Sequence, residues 1–194
     1  ETMPIRLCYA GNIFINNNSY QGRLKESTQL GAELIGDDSI EADAEILAMA
    51  VECLKKAGLE KFQISIGHAG FLKGLMEEAG LNEEQEEELR ELISNKNFFG
   101  VEEFIGTLEI AEDLKELFTL LGGFYDSPKQ FEEIQKKAAP YQKSASALTY
   151  LKDLHEVLKL YQAERPMNLV RSATTIIIPA LFFPAIPLEQ ENRS

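Results

Sequence analysis

Tyr20-Gln-Gly-Arg-Leu-Lys-Glu-Ser-Thr-Gln-Leu-Gly-Ala-Glu-Leu-Ile-Gly36 begins as a compact polar loop and ends as a strand. From Gln29 onward, polar and apolar residues alternate. Leu30, Ala32 and Leu34 share one face of a strand, and Gln29, Gly31, Glu33 and Ile35 share the other. Upstream, Pro4 to Phe14 reads as a strand and Asn16 to Arg23 as a polar turn. Two strands joined by a loop of this length predict an antiparallel pair. On the second strand, Gln29 and Glu33 lie on one side, about 13 Å apart by extended-strand rise. Glu33 offers an anionic acceptor for an ammonium or imidazolium, and Gln29 can both donate and accept. Gly31 leaves room between them, and Ile35 supplies a floor. A pocket for a free amino acid needs these features. On spacing alone, a solvated sheet face is the simpler account.

Outward from this hairpin the chain turns helical. Glu41 to Ala57 is an amphipathic helix with Ile46, Leu47, Ala50, Val51 and Leu54 on one stripe, stopped by Gly58. Lys61 to Gly67 alternates as a third strand, and Phe71 to Ala79 is a short helix before Gly80. Asn82 to Ser94 carries an acidic first turn suited to the helix dipole. Phe98 to Leu121 continues as helix, and Ser127-Pro-Lys-Gln130 reads as a capping box opening a helix to Ala139. Ser144 to Tyr161 is a strong helix with Leu148, Leu151, Leu154, Leu158 and Tyr161 in phase. The expected organisation is an α+β sheet domain over 1–81, an all-helical insertion over 82–140, a helix returning to the sheet over 141–165, and a separate tail over 166–194.

The 194 residues carry a net charge of -13, with 44% apolar and 26% charged residues. Nucleic-acid binding draws its affinity from Lys and Arg on phosphates, so this balance points away from RNA and DNA and toward protein or small-molecule partners. No segment reads as a membrane span, and no basic-then-apolar signal opens the chain. Cys8 and Cys53, inside a strand and a helix, are expected to be small buried hydrophobes in a reducing compartment. Without a secretory signal, the glycosylation acceptors at Asn17 and Asn192 carry no weight. Phosphate loops, paired-Cys spacings and nucleophile elbows are missing, so no catalytic residue, metal ligand or cofactor is assigned. His68, just past a strand, and His155, within a helix, are both read as structural. The abrupt start at Glu1 suggests a fragment of a longer chain.

Three stretches resemble the histidyl-tRNA synthetase family. They are Arg6-Leu-Cys-Tyr-Ala-Gly-Asn-Ile-Phe14, Gln21-Gly-Arg-Leu-Lys-Glu-Ser-Thr-Gln-Leu-Gly-Ala-Glu33 and Ile64-Ser-Ile-Gly-His-Ala-Gly70, within a likeness covering residues 1 to about 165. The resemblance implies a class II aminoacyl-tRNA synthetase-like antiparallel sheet flanked by helices, with an all-helical insertion. Synthetases of this family carry Phe-Arg-x-Glu, whose Arg contacts the ATP α-phosphate and whose Glu contacts adenine. The matching positions here are Ile15 and Asn17, which removes the electrostatic clamp on adenylation. The Gln and Glu that hold histidine match Gln29 and Glu33, with Arg23, Gly31 and Tyr9 as pocket neighbours.

The chain is thus similar to the non-catalytic branch, the regulatory subunits of ATP phosphoribosyltransferase. That branch implies a cytoplasmic homodimer or hetero-oligomer without a cofactor. It pairs with a short-form catalytic subunit for the first step of histidine biosynthesis, with histidine as the feedback effector. Ile15 departs from the Arg common in that branch as well. An inactive fragment of such a subunit, or a synthetase fragment, are the alternatives; Ile15, Asn17 and the acidic balance oppose the second.

The tail departs further. Where the family places a Tyr-Tyr-Thr-Gly strand and a Gly-rich motif, Ala173 leads into an apolar, Pro-broken run ending at Ser194. Codons built from the third base of one residue and the first two of the next, from Thr174 through Arg193, can spell YNYYTGIIFSGYTFGTGEP. This is similar to the family motif and suggests a reading-frame shift between about Ala163 and Leu169; a lineage-specific tail is the alternative. Such a tail would leave the sheet with an open edge and expose a sticky apolar patch.

Overall fold

The structure, a computed structural model, describes residues 3–16, 25–59, 62–95, 97–120, 128–162, 167–169 and 185–187. Strands β1 (Ile5–Phe14) and β2 (Glu26–Ile35) form the expected antiparallel hairpin. Its register pairs Tyr9 with Gly31, Leu7 with Glu33 and Gly11 with Gln29. The ladder runs one step further, where the Ile15 N–H donates to the Lys25 carbonyl at 2.9 Å. Gly36, at φ 87°, ends β2 in a backbone conformation that suits glycine.

Helix α1 (Ile40–Lys56) starts at Ser39, whose hydroxyl accepts from the Ala42 N–H at 3.2 Å. Acidic residues in its first turn and Lys55 and Lys56 in its last complement the helix dipole. Strand β3 (Phe62–Ile66) buries Phe62, Ile64 and Ile66 by simple alternation. Then come α2 (Ala69–Glu78), α3 (Glu83–Ser94), α4 (Phe98–Gly106), α5 (Glu112–Leu120), α6 (Pro128–Ala138) and α7 (Gln142–Leu160). In place of one continuous helix from Phe98, the chain breaks after Gly106, where the Thr107 hydroxyl donates to the Phe104 carbonyl at 2.7 Å. The capping box at α3 is complete, with the Asn82 and Gln85 side chains each capping the other's backbone N–H. Pro128 opens α6; Ser127, its expected cap, lies outside the described residues.

The apolar side chains collect into two cores. One joins α2 through α6, around Leu75, Leu89, Leu117 and Phe118, and takes Leu148 from α7. The other joins α1 and β3 to Leu151, Leu154 and Leu158 of α7. One helix therefore supplies side chains to both, and the fold is α+β as expected.

The structure corrects three expectations. Cys8 and Cys53 are exposed, not buried. Cys8 lies on a hairpin open to solvent on both faces along most of β1, and Cys53 lies off the α1 stripe that buries Leu47 and Val51. Leu30, placed on an apolar strand face, is 82% exposed. Nor is β3 left with an open edge. The tail segment supplies β4 (Met167–Leu169), parallel to β3, and β5 (Ala185–Pro187), antiparallel to its other side. Backbone pairing needs only N–H and C=O groups in register, so short strands of very different side chains satisfy it. The rest of the tail lies outside the described residues, as do Asn17 and Asn192.

Candidate histidine-binding hairpin

Because directly paired residues of an antiparallel ladder project from the same face, Tyr9 and Leu7 share a face with Gln29, Gly31 and Glu33. The Gln29 Nε2 donates to the Tyr9 hydroxyl at 2.7 Å. Tyr9 reaches it by lying across Gly31. A Cβ at residue 31 would stand 2.2 Å from Tyr9 Cζ, so only glycine permits this path. With Nε2 engaged, the Gln29 carbonyl oxygen is left as the free acceptor. Glu33, opposite Leu7, is exposed and makes no hydrogen bond or ion pair among the described residues. The hairpin thus presents a fixed amide carbonyl and an open carboxylate on one face, with Leu7, at 52% exposure, between the strands as apolar wall.

On the opposite face the hairpin meets α1 at one end. Arg6 forks onto Glu45 of α1, Nε to Oε1 at 2.6 Å and Nη2 to Oε2 at 2.7 Å. This ion pair holds the Glu45 carboxyl below its ordinary value, chiefly through the Arg6 hydrogen bond. The pair fixes the hairpin against α1 while leaving the Gln29–Glu33 face open.

Of the site residues expected from sequence, Tyr9, Gln29, Gly31 and Glu33 come together on one face. Arg23 lies outside the described residues. Ile15, matched by the resemblance to the synthetase arginine, is half exposed; Asn17 lies outside the described residues.

A second polar cluster was missed by sequence reasoning. His68 caps α2, its Nδ1 accepting from the Gly70 N–H at 3.0 Å. Its ring meets Tyr150 of α7 edge-on, with centroids 5.3 Å apart. The Tyr150 hydroxyl donates to Asp43 Oδ2 of α1 at 2.5 Å. Burial pushes the Asp43 carboxyl up and holds the His68 imidazole below its ordinary value; burial, with the Asp43 hydrogen bond, raises the Tyr150 phenol. The available signal was Tyr150, which lies beside the buried Leu151 and within a turn of Leu154 on α7, since a tyrosine so placed needs a partner for its hydroxyl. Among the described residues, no group of three or more His, Cys, Asp or Glu could hold a metal ion, and no helix is long and apolar enough to cross a membrane.

This hairpin, with its amide and carboxylate on one face beside a helical module, is a class II synthetase-like architecture. The chain belongs to the histidyl-tRNA synthetase family, whose profile matches residues 1–172. It is 42% identical over 158 residues to an ATP phosphoribosyltransferase regulatory subunit of Acetivibrio thermocellus, covering 81% of this chain and 38% of that protein. A protein of the same name from Ruminiclostridium cellulolyticum is 39% identical over 156 residues, covering 80% and 37%. Among solved structures, an ATP phosphoribosyltransferase regulatory subunit/histidyl-tRNA synthetase from Bacillus halodurans matches with a TM-score of 0.82 and 28% identity, over 98% of this chain and 50% of that one. The chain thus spans about two fifths of the length of these curated relatives.

Proposed function

We propose that this protein acts as a histidine-sensing regulatory subunit of ATP phosphoribosyltransferase and has no catalytic activity of its own. The observation that carries this reading is the hairpin face itself. Gln29, oriented by Tyr9 across Gly31, and the open Glu33 carboxylate share one face, while the resemblance matches the synthetase arginine to Ile15. Histidine offers donors to both acceptors: an imidazole N–H for the amide carbonyl, and a cationic ammonium or imidazolium for Glu33. ATP would find no cation at residue 15 to hold its α-phosphate. The names of the curated relatives support the regulatory role.

The partner is a short-form catalytic subunit that joins ATP to phosphoribosyl pyrophosphate at the first step of histidine biosynthesis. Histidine is the effector, and the assembly is a cytoplasmic homodimer or hetero-oligomer. Feedback then rests on a coupling free energy between sensor and catalyst, typically about 1–3 kcal/mol.

The test mixes this chain with a short-form catalytic subunit from the same source and follows activity with and without histidine. Activation that histidine reverses, and whose reversal Glu33→Ala blunts, is the expected result. Absence of both complex and activation overturns the reading. Histidine-dependent pyrophosphate exchange by the chain alone would replace it with a synthetase activity.

A further inference from the structure

A groove of about 680 Å³ runs between α2 and α7, far in sequence from the hairpin face, and its lining includes His68, Lys73, Gln142, Lys143 and Tyr150. This volume falls within the range of small-molecule sites, about 300–1,000 Å³. Its polar groups divide into those already engaged and those left open. Lys143 is paired with Glu77. The Ser146 hydroxyl donates to the Gln142 carbonyl at 2.9 Å, and the Tyr150 hydroxyl is held by Asp43.

Three groups remain open. Among the described residues Lys73 makes no salt bridge and the Gln142 amide no hydrogen bond, and the Lys73 charge contributes only at longer range to holding the Glu77 carboxyl low. The third is His68 Nε2. Its ring nitrogen Nδ1 accepts from the Gly70 N–H, so the neutral imidazole carries its proton on Nε2. Among the described residues Nε2 has no hydrogen-bond partner, and no buried side-chain nitrogen or oxygen is left unsatisfied. The Nε2 donor is therefore open to solvent at the groove. His68 and Lys73 border the groove from the α2 side and Gln142 from α7, with the Tyr150 ring beside His68, so an imidazole N–H, an ammonium and a primary amide line it from both sides. In a chain that carries -13, the two lysines of the groove lining, Lys73 and Lys143, face a single carboxylate, Glu77.

We propose that the α2–α7 groove binds a small oxyanion, with Lys73 supplying the charge, His68 Nε2–H and Gln142 the directional hydrogen bonds, and Tyr150 the apolar wall. The site is independent of the hairpin face and of the regulatory reading. The ligand group is phosphoryl or carboxylate, both of which present oxygens to such donors.

The chain contains only two histidines, and His155 does not line this groove. The imidazole Hε1 resonances therefore provide a probe and an internal reference. Inorganic phosphate and acetate are titrated separately at matched ionic strength, with chloride as the blank. The His68 resonance is expected to shift saturably while His155 stays still, and Lys73→Gln to weaken the apparent affinity about tenfold, the equivalent of about 1.4 kcal/mol. Saturation by phosphate alone assigns a phosphoryl ligand, and saturation by acetate alone a carboxylate. Parallel, unsaturable drift of both histidines, no shift with either anion, or an unchanged affinity in Lys73→Gln overturns the proposal. His68→Asn, which keeps a capping side chain at α2 but removes the Nε2 donor, is followed by calorimetry. A folded variant that binds phosphate and acetate as the wild type does overturns the role of His68.

Discussion

Replacing Gly31 with alanine should separate histidine binding from stability. An ideal Cβ there would lie 2.2 Å from Tyr9 Cζ and 2.4 Å from its hydroxyl oxygen, well inside the 3.4 Å at which ordinary contact begins. The backbone at Gly31 does not take a positive φ, so alanine suits the strand. Tyr9, at 47% exposure, can swing outward without opening a cavity. Two small terms then oppose each other. Alanine gains about 0.5–1 kcal/mol over glycine in a strand interior, and the lost Gln29–Tyr9 hydrogen bond costs about 0.5–1.5 kcal/mol. Net stability should stay within about 1 kcal/mol of wild type, a shift of about 2–4 °C in Tm for a chain of this size. Binding should suffer, because the Gln29 amide is no longer held with its carbonyl outward. Loss of about 1 kcal/mol of orientation weakens histidine binding about fivefold. Tyr9→Phe keeps the ring and removes only the hydroxyl, so it should weaken binding by the same factor while lowering Tm by about 1–6 °C, since no alanine gain offsets the lost hydrogen bond. Calorimetric titration with histidine, paired with thermal melts, reads both effects. Wild-type affinity in both variants would refute the role given to Tyr9.

Leu154 is fully buried between α1, β3 and α7; Leu154→Ala should cost about 2–5 kcal/mol in urea unfolding, and a loss below 1 kcal/mol would mean that this core is not closed. Asn82→Ala removes half of the capping box at α3 and should cost about 0.5–2 kcal/mol by the same assay. The His68 imidazole is held below its ordinary 6.5 by burial, with Asp43 opposing. The folded state therefore binds fewer protons than the unfolded chain, and stability should fall as pH drops through and below 6.5, levelling once the folded imidazole is charged. Asp43, pushed up by burial, acts with the opposite sign in a lower window: its contribution is greatest below its ordinary 3.8 and is lost as pH rises through its folded value. Melts of the wild type and His68→Asn between pH 5 and 8 isolate the histidine effect; equal slopes would assign it elsewhere.

The elements that read well in sequence are those with strong periodicity. β2 alternates, the α1 and α7 stripes repeat at helical spacing, and Gly58 and Gly80 stop their helices in left-handed conformations. The candidate face was legible because strand parity alone places Gln29, Gly31 and Glu33 together. What parity could not supply was the cross-strand register, and with it the reason for Gly31. Only the pairing of Tyr9 with Gly31 reveals that the glycine makes way for a tyrosine rather than for a ligand. The cysteines misled because burial was inferred from the element type, whereas it is decided by what packs on each face. The Asp43–Tyr150–His68 cluster was illegible for a related reason: its members lie on three elements, and no local pattern joins them.

On the proposed reading, the difference between a synthetase and a sensor follows from where each function stores its binding energy. Adenylation needs charge stabilisation that appears only in the transition state, and the residue at position 15 would carry part of it. A sensor needs only a difference in histidine affinity between two states of an assembly. Ile15 lies six residues along the strand from Tyr9, about 20 Å at extended rise. Its substitution therefore leaves the Gln29–Tyr9 contact and the Glu33 carboxylate untouched. Glu33→Ala and Ile15→Arg should behave as opposites. The first should abolish the histidine response. The second should restore a cation near the ATP position without altering histidine affinity by more than about twofold, since an exposed charge at that distance is screened beyond a Debye length of about 8 Å. A large change in histidine affinity on Ile15→Arg would mean that the two halves of the hairpin form one site, and the separation of sensing from catalysis would fail.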